Sequence, residues 1–103
     1  MILFHSKLYV ASELAAEQRK VIKKLKQGKL QIGVYVIAIP VGEQDMLEIY
    51  PSYVLLQEAY KQMDVQVVGL AGSQSSAYEI LEMMTNDCIQ ATGSVNIREY
   101  FSR

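Results

Sequence analysis

The residues of this chain best placed to do chemistry lie in the run Val67-Val-Gly-Leu-Ala-Gly-Ser-Gln-Ser-Ser-Ala77. An apolar stretch of strand character ends there in a Gly-Ser turn and opens into a helical pattern, which puts Gly72, Ser73, Ser75 and Ser76 at a helix N-terminus. Backbone N–H groups and the positive end of the helix dipole attract anions at such a place, and three hydroxyls add donors. A phosphorylated small molecule is the ligand this arrangement would suit, in an enzyme or a regulator. No Lys follows the turn as in a P-loop, and Gly69, Ala71 and Gly72 lack the spacing of a dinucleotide fingerprint. The competing reading is structural: Ser73 caps the helix, or Ser76 does so with Glu79, and the glycines only permit a tight turn. We take the structural reading as the stronger.

A second constellation is the basic run Arg19, Lys20, Lys23, Lys24 and Lys26, carried by a helical pattern over 13–27. Residues 1–42 hold seven basic and two acidic side chains, and residues 43–103 three basic and nine acidic, so the molecule is expected to be bipolar. Such a helix face could follow nucleic-acid phosphates weakly. The chain is slightly acidic overall, no aromatic is interleaved with the lysines, and no nucleic-acid module is recognisable. We therefore expect a solvated face and no specific nucleic-acid partner. Glu13 and Glu17 fall near the positive end of that helix and the lysines near its negative end, an arrangement that favours the helix itself.

Catalytic readings find little support. His5 is the single histidine and lies in an apolar strand pattern, where a structural role is expected. Cys88 falls on the apolar stripe of its helix and should be a buried, inert thiol. One His and one Cys so far apart do not make a metal site, and no catalytic residue, metal or cofactor is expected. Seven tyrosines are many for 103 residues, and Tyr50, Tyr53 and Tyr60 surround one short helix, where they could line a contact surface.

The elements that must position these groups follow from periodicity. Ile2, Phe4, Leu8 and Val10 alternate with Leu3, His5, Lys7 and Tyr9, which predicts a strand over Ile2–Val10. Ser12 is then a candidate N-cap for the basic helix, with Gly28 as its stop. Leu30 to Pro40 is the most apolar run; Leu30, Ile32, Val34, Val36 and Ala38 would face one way and Tyr35, Ile37 and Ile39 the other, as a central strand requires. A turn at Val41–Asp45 leads to a short edge strand, Met46 to Tyr50. Pro51 and Ser52 then open an amphipathic helix with Leu55, Leu56, Ala59, Tyr60 and Met63 inward. Val65–Ala71 is a second apolar strand, and the helix after it carries Ala77, Ile80, Leu81, Met84, Cys88 and Ala91 on one stripe until Gly93. Asn96 with Glu99 predicts a capping box for a last helical turn.

This order, β-α-β-β-α-β-α, in a half-hydrophobic chain of 103 residues points to one α/β domain over 1–103, layered on a mostly parallel or mixed four-stranded sheet. A ferredoxin-like split βαβ with an added C-terminal helix is the alternative if 41–45 forms a hairpin. No apolar run approaches the roughly 20 residues that cross a bilayer, the N-terminus shows no secretory pattern, and a lone cysteine makes no internal disulfide; a cytoplasmic location without membrane attachment is expected. The Lys-rich helix leading to Gly-Val-Tyr-Val-Ile, the segments Leu-Glu-Ile-Tyr-Pro and Val-Val-Gly-Leu-Ala, and the ending Asn-Ile-Arg-Glu-Tyr resemble a family of small bacterial α/β proteins with no assigned function. That resemblance implies no activity and no site residues. The expected function is binding or assembly as a homodimer, with Tyr53, Val54, Met83, Tyr100 and Phe101 as leftover apolar surface and the opposite charge of the two halves favouring an antiparallel two-fold approach.

Overall fold

The computed structural model describes residues 1–39 and 47–102. Strands β1 (Ile2–Val10), β2 (Tyr35–Ile39), β3 (Glu48–Pro51) and β4 (Val65–Ala71) form one sheet in the order β1-β4-β2-β3. β1 runs parallel to β4, whereas β2 is antiparallel to both β4 and β3, so the sheet is the mixed one of the two expected. Helix α1 (Gln18–Lys26) and 3-10 turns at Ser12–Glu17 and Ser52–Leu56 lie on one side, and α3 (Gln74–Thr92) with α4 (Ile97–Phe101) on the other; a single turn of helix, α2 (Glu58–Lys61), precedes β4. The adjacent antiparallel pair β2–β3 is what the ferredoxin-like alternative required. Helices on both faces of the sheet make the protein a layered α/β domain instead.

The two inner strands carry the core because their residues alternate between two apolar layers. Val36 and Ala38 of β2 and Val65, Val67 and Leu70 of β4 meet Leu14, Val21, Leu25 and Leu55; Ile37, Val68 and Ala71 meet Ala77, Ile80, Met84 and Phe101. The spacing 65, 67, 70 departs from a strict period of two. Ile37 pairs with Gly69 and Ala38 with Val67, so Val68 is an extra residue in β4, a bulge that returns Leu70 to the α1 side. Gly69 stands at that bulge because there is no room for more: a Cβ there would be 2.9 Å from both Ile37 Cδ1 and Met84 Cε.

Local signals placed several boundaries. Gly28 and Gly93 adopt φ of 68° and 75° at the ends of α1 and α3, a conformation glycine reaches without a Cβ clash. Ser73 Oγ accepts the Ser76 N–H and Asn96 Oδ1 the Glu99 N–H, so both side-chain caps form as the sequence suggests. Other boundaries differ. Ser12 makes no cap; the chain turns first through the 3-10 segment, with Leu14 N bonded to Ala11 O, and α1 proper starts at Gln18. The central strand begins at Tyr35, not Leu30, because Gly33 turns the chain at φ 78° and Leu30 and Ile32 point to solvent. Pro51 ends β3, and the helix expected after it is split where Gln57 takes an extended conformation. The turn expected at Val41–Asp45, with Pro40 and Met46, lies outside the described residues. Among the described residues, no helix is long and apolar enough to cross a membrane.

Candidate functional site

The strand-to-helix turn at Gly72–Ser76 does hold an anion, and the anion is the chain's own. Glu13, from the 3-10 segment before α1, places Oε2 2.8 Å from the Gly72 nitrogen, which donates to it. The Ser76 hydroxyl and the Gly72 N–H hold the Glu13 carboxyl below its ordinary value. The contact is close: a Cβ on residue 72 would sit 2.7 Å from Glu13 Cγ and 3.0 Å from Oε2. Ser73 spends its oxygen on the cap, while Ser75 is exposed beside it. An incoming phosphate would therefore displace a tethered carboxylate and approach Glu79, which shares a depression of 300 Å³ with Glu13 and Met83. The signal in sequence was the helix N-terminus; its occupant, 59 residues away, carried none.

The basic constellation is a true helix face. Arg19, Lys20, Lys23 and Lys26 are exposed and Lys24 half-buried, and among the described residues none of them meets a carboxylate at ion-pair distance. Lys26 Nζ lies 5.6 Å from the centre of the Phe4 ring, an aromatic partner that β1 supplies and that the local sequence does not reveal. Apolar ground flanks the cations on both sides. A notch of 380 Å³ has Ile22 among Arg19, Lys23 and Lys26, and a groove of 310 Å³ sets Lys20 and Lys24 opposite Leu30 and Ile32.

That second groove exists because the segment before β2 is folded polar side in. Gln31, 8% exposed, donates its amide to Val21 O at 3.2 Å, and Ser52, 3% exposed, donates its hydroxyl to Gln31 O and its N–H to Val34 O. Pinning Gln31 inward turns its neighbours outward: Leu30 is 62% and Ile32 81% exposed, and Tyr53, next to Ser52, 49%. The expected alternation placed Leu30 and Ile32 in the core and could not foresee this, since the buried polar pair joins residues 21 positions apart.

On the opposite side of the sheet, β1 grips α4. Four β1 residues, His5 to Leu8, stand against the single Val68 of β4, which frees His5, Lys7 and Tyr9 to face the C-terminal helix. His5 Nδ1 accepts the Lys7 N–H at 2.9 Å, so Nε2 carries the proton and donates to Phe101 O at 2.5 Å. Both ring nitrogens are used, and the imidazole is structural. Lys7 Nζ donates to Tyr100 O at 3.0 Å and lies 4.4 Å over its ring. Tyr9 donates to Asp87 Oδ2 at 2.5 Å and thus receives the Tyr100 hydroxyl at 2.8 Å; burial, then Asp87, raises the Tyr9 phenol far above its ordinary value. A phenol so held stays protonated. Cys88 is fully buried, with Sγ 3.3 Å from the carbonyls of Ser94 and Asn96.

The expected contact residues scatter. Phe101 is 4% exposed in the core, against His5 and Tyr100, and offers no surface; apolar area beside that clasp went inward. Val54 and Tyr100 are half-buried, Tyr53 and Met83 exposed. Tyr50 and Tyr60 pair at 5.7 Å between centroids without Tyr53. On α3, Tyr78 and Ile89 stay 55% and 43% exposed along one edge of the outer side and Met83 56% exposed along the other, with Glu79 and Glu82 between them. Because α1 and α3 cover opposite faces of the sheet, the cations of α1 and the carboxylates of α3 lie on different sides of the molecule. Comparison with protein-family models, with curated proteins and with solved structures gives no match for this chain, so a reading of its function rests on this geometry.

Proposed function

We propose that the protein is a small binding or assembly module that associates with copies of itself, and that it acts by presenting surfaces and not by catalysis. The observation that carries this reading is the large apolar surface left uncovered: Leu30 and Ile32 stand exposed side by side before β2, and Tyr78, Met83 and Ile89 stay exposed on α3 although the same helix buries Ala77, Ile80, Met84 and Cys88. Neighbouring large apolar side chains left exposed mark contact surfaces more often than isolated ones do. The competing anion site is already filled by Glu13, and His5, Tyr9 and Cys88 are each held by internal partners that suit a scaffold. A cytoplasmic setting fits a chain whose single cysteine is buried as a thiol. Light scattering over a concentration series tests the proposal: the mass should rise above the protomer's 11.6 kDa as concentration increases. A mass that stays there at the highest concentration overturns it.

A further inference from the structure

We infer that copies of this chain associate head to tail, the basic face of α1 in one copy docking on the acidic face of α3 in the next. The inference rests on the self-association proposed above and specifies its geometry. Helix α1 holds five basic and no acidic side chains, and α3 three acidic and no basic ones. Surfaces of soluble domains ordinarily intersperse the two signs; here each sign has its own helix, and the sheet lies between them. The α1 cations meet no carboxylate at ion-pair distance among the described residues, and Asp87 is engaged by a neutral tyrosine.

The apolar ground matches as the charges do. Beside α1, Ile22 lies in a 380 Å³ notch between Arg19, Lys23 and Lys26. On α3, Met83 stands 56% exposed between Glu79 and Glu82 on one flank and Asp87 on the other. An unbranched thioether adapts to an irregular notch, so Met83 seated over Ile22 would bring the acidic residues against the cations around it. A face meeting its own copy would oppose five cations to five cations, or three carboxylates to three, which excludes a two-fold contact through either helix. Two different complementary faces on one molecule give a heterologous contact, which closes into a ring or continues as a filament according to the rotation between copies. A second copy is also the partner that leaves least charge unbalanced, since each added chain brings a net charge of only -1.

Two surface variants test this. Lys20→Glu/Lys23→Glu removes the basic face and leaves the acidic one; Glu79→Lys/Glu82→Lys does the reverse. Each alone should lose at least about tenfold in association and sediment as a monomer, and wild-type association should weaken steeply with salt. An equimolar mixture should restore association, beginning with a species of twice 11.6 kDa in which the intact acidic face of one variant meets the intact basic face of the other. Monomers that stay monomeric on mixing overturn the head-to-tail contact. Variants that associate like wild type do so too, while leaving self-association itself standing; a monomeric wild type ends both readings. If a reversal variant loses its far-UV spectrum, Lys20→Gln/Lys23→Gln and Glu79→Gln/Glu82→Gln replace the pair, with the same recovery on mixing required.

Discussion

Glu13 ties the segment before α1 to the turn before α3, and breaking that tie from either end should give the same loss. Glu13→Ala removes the acceptor of the Gly72 N–H and of the Ser76 hydroxyl. Gly72→Ala leaves the carboxylate in place but builds a Cβ 2.7 Å from Glu13 Cγ, which must swing away and give up the same bonds. Gly72 has no positive φ, so alanine brings no backbone strain of its own. A charge-assisted hydrogen bond contributes about 1.5–3 kcal/mol where water is excluded. Glu13 is exposed, and screening reduces this to about 0.5–1.5 kcal/mol. For a domain of this size about 1 kcal/mol moves the thermal midpoint by roughly 4–8 °C. The double variant should lose no more than either single one, since both remove one shared contact. The loss also depends on pH with a definite sign. A carboxyl whose folded value is depressed stabilises the fold above its unfolded value, and that stability disappears as pH falls through the folded value. Urea titrations at neutral pH should therefore separate wild type from Glu13→Ala by more than titrations well into the acid range. Additive losses, or a difference that persists unchanged in acid, would show that the tie is not what holds the two segments.

Three more outcomes follow from the same geometry. Gln31→Ala should cost about 1–3 kcal/mol in chemical denaturation, because it leaves the buried Val21 carbonyl without its amide partner while the Ser52 contact, made to the main-chain carbonyl of residue 31, stays, whereas Ile32→Ser, 81% exposed, should stay within about 0.5 kcal/mol; the reverse order would mean that the polar-in, apolar-out segment is misread. Gly69→Ala should destabilise by about 1–3 kcal/mol through overpacking against Ile37 and Met84, and an unchanged denaturation midpoint would place the bulge elsewhere. Any binding of duplex DNA by the five α1 cations should be independent of sequence, collapse as salt rises and vanish in Lys23→Glu; fluorescence anisotropy showing affinity at physiological salt that differs between sequences would refute the solvated-face reading.

What the sequence determined by itself was whatever depends on near neighbours along the chain. The caps at Ser73 and Asn96 and the stops at Gly28 and Gly93 join residues within a few positions, where side-chain reach and backbone φ decide the outcome. Burial of β4 on both faces was legible because one strand shows its full composition in seven consecutive residues. The tertiary structure alone decided the rest. Leu30 and Ile32 look like core until the turn at Gly33 and the bonds that residue 31 makes with Val21 and Ser52 hold Gln31 inward and leave its neighbours facing water. The turn at Gly72 looks like an open anion site until Glu13 arrives from 59 residues away. Charge segregation between the halves could be counted along the chain, but placing α1 and α3 on opposite faces required the strand order β1-β4-β2-β3. That order reflects which long-range contacts fill both layers at once, a property of the packed whole that no local window contains.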